Sequence, residues 1–432
     1  MPPHAPSPFA DALRDLPQGP LCVGYSGGLD STALLHLLAE TPAARARGLR
    51  AWHVHHGLHA QADDWAAHCA AECAALSVPL TVSQVNVTRD GGDGPEAAAR
   101  RARHAAFERG LGEGETLALA HHRDDQAETF LLRALRASGP DGLAAMRRWR
   151  DCGRGRLWRP LLELPRSALE RYARDRGLRW IEDPSNADDA YDRNFLRRRV
   201  LPLLRERWPQ ADAALAASAG LNAQAAALLE QGDALALAQV RSADPQALSR
   251  AGLRTLPSAR RARVLRRWIA ELGLPPLPAV GVNQIERELL TAREDAEAEF
   301  SWHGASIRAW RDLLHAQTQS AALPPGWRTP WDGRAPLALP GGGELRLEGA
   351  SALEGACEVH ARVGGERMVL PGREHSHALK QVLQELSVPP WERRRLPLLS
   401  RGGVLLAAAD LAYSADLDRW LRERGARLVW RA

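Results

Sequence analysis

Apolar and polar positions in the first half of the chain alternate between two periods. Short apolar or β-branched runs at 21–25, 49–55, 80–87 and 116–120 read as strands. Ala33, Leu34, Leu35, Leu37 and Leu38 make a broad helical face, and 62–76, 95–109 and 124–136 keep helical spacing. Repeated strand–helix units predict an α/β fold, a Rossmann-like doubly wound parallel sheet whose ligands sit at the carboxyl ends of its strands. Past 180 the pattern changes to Asp, Asn and Arg, with Pro202 and Pro209 as punctuation. The Ala- and Leu-rich stretch 211–240 predicts a helix, helical spacing returns at 258–272 and 282–293, and 300–314 is strand-like. The stretch 324–343 is rich in Pro and Gly, contains Trp327 and Trp331, and reads as a linker or long loop. The expected domains are therefore 1–207, a largely helical 208–322, a linker 323–344 and a compact 345–432.

Length supports this division, because 432 residues exceed one ordinary core. Hydrophobic content of 45% and charged content of 25% are those of a globular protein. The net charge of +5 permits a nucleic-acid partner without requiring one. Lys380 is the only lysine, so the basic groups are suited to bidentate phosphate contacts. Cys22, Cys69, Cys73, Cys152 and Cys357 contain no C-x-x-C pair, which argues against a disulfide framework or structural zinc. No apolar run approaches membrane-spanning length and no signal-peptide core follows Pro2 and Pro3, so no membrane partner and a cytoplasmic location are expected.

The stretch Ser26-Gly27-Gly28-Leu29-Asp30-Ser31 lies between a strand and a helix. Glycines there let backbone N–H groups crowd around an anion, and the helix N-terminus adds partial positive charge. It lacks the Gly-Lys-Ser ending of a Walker A loop and is no G-x-G-x-x-G fingerprint. Standing alone, a glycine turn capped by Asp30 or Ser31 fits equally. Glu96, Arg100 and Arg103 share one helical face, as an exposed ion-paired helix or as arginines meeting phosphate charge. Asp125 and Glu128 at i, i+3 suit Mg²⁺, an ammonium group or general-base work, and they also fit a capping box. Arg193, Asn194 and Arg197 follow Glu182-Asp183-Pro184-Ser185-Asn186, as a nucleic-acid contact or a solvated basic face. His53, His55, His56 and His59 split across a strand, and no Cys or carboxylate completes a zinc pattern.

Together these segments resemble the tRNA(Ile)-lysidine synthetase family of N-type ATP pyrophosphatases, whose phosphate loop reads S-G-G-x-D-S. The second signature matches His122-Arg123-Asp124-Asp125-Gln126-Ala127-Glu128-Thr129. The G-S-G-x-x-G-L-x-x-M stretch is met from Ser138 to Met146, with Ala137 in place of its first glycine. Arg159-Pro160-Leu161-Leu162, Glu182 to Asn186 and Arg193-Asn194 match three further elements. Arg367, Pro371-Gly372-Arg373, Leu379-Lys380 and Val388 to Arg393 resemble the family's terminal domain, and His104 stands where the family more often has Tyr.

The resemblance implies ATP-dependent attachment of free L-lysine to carbon 2 of the wobble cytidine of tRNA(Ile) with a CAU anticodon. It implies an adenylated cytidine, release of pyrophosphate and then of AMP, and use of ATP and Mg²⁺. Ser26, Gly27, Gly28, Leu29, Asp30 and Ser31 would hold the nucleotide, with Asp30 as a metal ligand. Arg100 would meet phosphate charge, and Asp125 and Glu128 would recognise and deprotonate lysine. Arg193, Asn194, Arg197, Arg367, Arg373, Lys380 and Arg393 would contact tRNA. Monomer and homodimer both stay open. A tRNA thiolase is disfavoured by the missing cysteine pair and an amidotransferase by Pro2. A non-catalytic RNA-binding protein is disfavoured by the intact Ser26, Asp30 and Ser31.

Overall fold

The computed structural model describes residues 8–57, 59–85, 95–293 and 297–431. They form two compact units, Met1–Gln231 and Gly232–Ala432. In the first, β1 (Leu21–Gly24), β2 (Arg50–His55), β3 (Leu80–Gln84), β4 (Thr116–Ala118), β5 (Trp149–Cys152) and β6 (Gly155–Trp158) make one sheet of order β3-β2-β1-β4-β6-β5. Five strands run parallel, and β5 joins antiparallel through its hairpin with β6. Successive β1 side chains enter opposite layers. Leu21 and Val23 pack with Leu34, Leu35, Leu38 and Trp158, while Cys22 packs with Trp52, Phe107, Leu117 and Leu157. Each fully buried large side chain contributes about 1.5–3 kcal/mol. The helix Leu29–Ala39 is apolar nearly all round because it lies buried against the sheet.

Chain order reverses between β1 and β4: β2 and β3 lie on one side of β1, and β4 and β6 on the other. The loops leaving β1 and β4 therefore diverge, opening the crevice where doubly wound sheets bind ligands. Asn86 and Val87, the end of the expected strand 80–87, lie outside the described residues. The helix expected at 211–240 forms as Ala211–Val240, and Arg205 donates to its Asp212 at 2.6 Å within the first unit.

The second unit opens with a four-stranded antiparallel sheet built on Glu299–Trp302, Ala305–Trp310, Leu313–Thr318 and Ala247–Ser249. The helix Ser258–Glu271 supplies Val264, Leu265, Trp268 and Ile269 to the associated core. The stretch 323–344, expected to be a linker, instead carries strands. Arg328–Pro330 pairs with Cys357–His360, and Leu337–Ala338 pairs with Glu344–Glu348. Trp331 is 7% exposed among Leu345, Val359 and Leu428, and its Nε1 donates to the Ala335 carbonyl at 2.8 Å. Gly342, with φ of +88°, serves the tight turn between the paired strands Leu337–Ala338 and Glu344–Glu348, and Gly333, with φ of +80°, turns the chain from one sheet into the next. No helix among the described residues is long and apolar enough to cross a membrane.

Trp331→Ala is expected to cost about 3–5 kcal/mol in chemical denaturation of the full chain. An unchanged midpoint and slope would return 323–344 to the status of a linker.

Candidate active site

The loop after β1 is held open by its own hydroxyls. Ser26 N–H donates to Ser31 Oγ at 3.2 Å, and the Ser31 hydroxyl donates to the Gly28 carbonyl at 3.0 Å. Gly28 is the N-cap of the helix Leu29–Ala39 and makes no side-chain capping bond, so the first-turn N–H groups are not closed off by an N-cap side chain. Ser31 thus closes the turn, as one reading of the sequence expected, without acting as the helix N-cap. Gly27 has φ of +82°, and a Cβ there would stand 2.5 Å from Ile181 Cδ1. That approach follows from the Ile181 N–H, which donates to the Gly27 carbonyl at 2.9 Å and lays the Glu182 segment against the loop.

A cavity of about 860 Å³ opens above this loop. Ser26, Gly28, Leu29, Asp30 and Ser31 form its floor, and Arg100, Arg103, His121, Asp125 and Arg166 line it. Ser185, Asn194 and Arg197 line it from the segment beyond Ile181. His55 at the end of β2, His56 and His59 in the connection after it, and Trp65 of the helix Ala62–Ala75 also line it, with His59 stacked on Trp65 at 4.8 Å. Asp30 Oδ2 stands 3.6 Å from His122 Nε2, and Oδ1 stands 3.6 Å from Arg166 Nε. Oδ1 is buried and accepts no hydrogen bond among the described residues. Glu96 belongs to the helix Pro95–Gly110, but its side chain lies outside the described residues.

The helix Arg123–Ala134 starts at His122 and carries the two carboxylates. A capping box is present, with His122 and Asp125 as its members rather than Asp125 and Glu128. Asp125 Oδ2 accepts from His122 N–H at 3.0 Å, and His122 Nδ1 accepts from Asp125 N–H at 3.4 Å. Glu128 is fully buried and does not line the cavity. Its Oε2 accepts from Arg193 Nε at 2.7 Å and its Oε1 from Arg197 Nε at 2.6 Å. Asp125 Oδ1 accepts from both guanidinium groups, at 3.0 and 3.2 Å. Arg193 and Arg197 therefore turn inward onto carboxylates, where the sequence predicted a tRNA backbone contact. The π-helical turn Leu196–Val200 follows the short helix Asp192–Phe195 and keeps the two arginines on one face.

Two anions and two cations at this spacing sum to zero, which makes their burial tolerable. Burial opposes ionisation of Asp125, but His122, Arg193 and Arg197 outweigh it and hold its carboxyl far below the usual range. Burial likewise opposes charge on His122, and Asp125 and Asp30 more than offset it, raising its pKa. Asn194 donates to the carbonyls of Ser185 and Asp188, both at 2.9 Å, and so ties the 184–188 turn to the arginine helix.

Sequence reading missed Arg166, His121 and Arg159. Arg166 lies outside any recognised pattern, Arg159 opens the Arg-Pro-Leu-Leu element without a role attached to it, and His121 precedes the His122–Thr129 signature without a spacing that marks it. His53 Nδ1 stands 2.9 Å from the Tyr25 carbonyl and His55 Nε2 stands 3.1 Å from Asp63. Among the described residues no group of three or more His, Cys, Asp or Glu could hold a metal. His104 is pushed down to about 4 by burial and by Arg103 and Arg100. Ala137 adopts φ of +53°, the conformation a glycine takes without strain.

In the second unit Arg367, Arg373 and Lys380 are exposed. Arg393 is half-buried and donates to the Val388 carbonyl at 2.7 Å, so it fastens a turn. Trp391 packs edge-on to His315 at 5.4 Å, with Arg308 over its ring.

Three family models match: a PP-loop domain over 3–204, a TilS substrate binding domain over 248–315 and a TilS substrate C-terminal domain over 357–430. The tRNA(Ile)-lysidine synthase of Xanthomonas axonopodis pv. citri (strain 306) is 56% identical over 421 residues, spanning 97% of this chain and 96% of that one. The synthase of Xylella fastidiosa (strain Temecula1) is 51% identical, spanning 96% and 95%. That of Alkalilimnicola ehrlichii is 45% identical, spanning 96% and 94%. Sharing 56% of aligned residues with such a relative over 97% of its length, the chain belongs to the tRNA(Ile)-lysidine synthase family.

Proposed function

We propose that this protein uses ATP to join free L-lysine to carbon 2 of the wobble cytidine in tRNA(Ile) with a CAU anticodon. The reading rests on one observation above others. A single cavity unites an anion-cradling loop, an arginine wall and the ionised carboxylate of Asp125, with room for more than a triphosphate. The names of the relatives supply the substrate class.

Cytidine O2 is a poor leaving group and is activated first. It attacks the α-phosphorus of ATP, the bond to the bridging oxygen breaks, and pyrophosphate departs. Ser26, Gly27, Gly28, Leu29 and Ser31 cradle that pyrophosphate with backbone N–H groups and hydroxyls. Arg100 meets the charge that develops on the phosphates. The ε-amine, having released its ammonium proton to water, then attacks carbon 2, the carbon–oxygen bond breaks, AMP leaves with the former O2, and the proton freed from nitrogen passes to water.

Asp125, which lines the cavity beside Arg100 and His121, receives the lysine ammonium. Its depressed pKa makes it a weak base, which suits recognition rather than proton removal. Glu128 acts through Arg193 and Arg197, holding both guanidinium groups in place. Asp30 fits Mg²⁺, because its buried Oδ1 lacks a hydrogen-bond donor and this ion typically takes one or two carboxylates plus phosphate oxygens. Held by Asp30, the ion would supply positive charge to the phosphate oxygens. Arg367, Arg373 and Lys380 contact tRNA phosphates from the second unit, and Arg393 shapes their support.

Asp30→Asn is expected to lower tRNA-dependent pyrophosphate release about 100-fold in a folded protein. Near-normal release would remove Asp30 from the nucleotide site. Asp125→Asn preserves the cap and removes a charge worth about 1.5–3 kcal/mol to an ammonium. Lysine KM should rise at least about tenfold while pyrophosphate release persists; an unchanged KM leaves Asp125 a helix cap only. Replacing Arg367, Arg373 and Lys380 together by Gln should flatten the salt dependence of tRNA binding by roughly 0.7–0.9 for each phosphate no longer neutralised. Coincident salt titrations of the two proteins would rule this surface out.

A further inference from the structure

His121 lies three residues beyond β4, at the sheet's switch point, and its half-buried ring lines the cavity beside Arg100 and Asp125. Its Nδ1 stands 3.2 Å from Arg159 Nε. A guanidinium group can only donate. Nδ1 is therefore the acceptor, and the single proton of the neutral ring sits on Nε2. Arg159 has no freedom to turn away. It is 5% exposed, its NH1 donates to the Arg147 carbonyl at 2.6 Å, and its backbone N–H donates to the Arg148 carbonyl at 2.9 Å. Burial keeps the His121 ring uncharged; Asp125 opposes this, and Arg159, Arg193 and Arg100 reinforce it.

The geometry points to Arg159 as a positioning residue that locks His121 into its Nε2–H form, so that His121 donates to an adenylyl phosphate oxygen in the cavity. Strands β1 and β4 are neighbours, about 4.8 Å apart. A donor after β4 thus stands one strand away from the loop proposed to cradle pyrophosphate and faces the same cavity. A ring held this way carries no lone pair toward the substrate on Nε2, so it cannot take the amine proton. It supplies a fixed dipole to the oxygen whose charge grows as O2 attacks and again as AMP departs. The donor role rests on the proposed function; the tautomer lock does not.

The test has two arms. Long-range proton–nitrogen NMR of histidine-labelled full-length protein, with His121→Gln identifying the resonance, reads the tautomer directly. Wild type should show Nε2–H and no titration of this ring between pH 6 and 8. Arg159→Met should show mixed tautomers and a pKa above that of wild type, since one of the cations facing the ring is gone while its burial remains. A wild-type ring protonated on Nδ1, or unaffected by Arg159→Met, overturns the lock. The second arm compares His121→Gln, whose amide restores a donor near Nε2, with the nearly isosteric His121→Leu. The glutamine variant should keep pyrophosphate release within about threefold of wild type, and the leucine variant should lose about 100-fold. Equal rates in the two variants, high or low, overturn the donor role. If wild-type protein releases no pyrophosphate with tRNA, the proposed function and the donor role fail together, while the NMR arm still decides the lock.

Discussion

Four charges hold the cavity in its shape. Glu128 sits fully buried on the helix Arg123–Ala134, where an ionised carboxylate without partners would cost several kcal/mol. Arg193 and Arg197 satisfy it and also reach Asp125. In doing so they draw the segment Asp192–Val200 against the helix. Asn194, between the two arginines, then fixes the 184–188 turn through two carbonyls. Ser185 and Asn186 of that turn, with Asn194 itself, stand in the cavity wall. Removal of Glu128 would take away the acceptor of both Nε groups and release the wall, whereas loss of Asp125 leaves both arginines on Glu128, so Glu128 acts on the site by position.

The phosphate loop depends on the same segment from its other end. Ile181 donates to the Gly27 carbonyl and packs where a side chain on residue 27 would project. A glycine there answers two needs at once, the positive φ and the close approach. The loop is thus pinned by contact with the segment that the arginine cluster anchors, and the anion cradle and the carboxylate helix share one support. His122 adds a third link, with its Nε2 between Asp30 and Asp125 at 3.6 and 3.4 Å.

Arginine is suited to this work. A planar fork reaches two carboxylates from one side chain, as Arg193 does with Nε on Glu128 and NH2 on Asp125. The same chemistry recurs in the second unit, where buried Asp233 accepts from Arg260 and Arg263, both at 2.6 Å. In a chain with one lysine, arginine therefore serves inside as well as at the surface, and counting basic residues says little about which of them remain for nucleic acid.

Local pattern alone determined the strand–helix alternation, the loop between β1 and its helix, and the spacing of Asp125 and Glu128. Each depends on residues within a turn or a strand of one another, where periodicity and backbone freedom act directly. Tertiary structure decided what Arg193 and Arg197 face, because their partners lie 65 to 72 residues away and a charged helix face looks alike whether solvent or carboxylate covers it. It also decided that Trp331 is core, since Pro and Gly mark tight turns and linkers equally until a distant strand pairs. His121 is the sharpest case. Its proton is placed by an arginine 38 residues away, and no spacing in the chain records that contact.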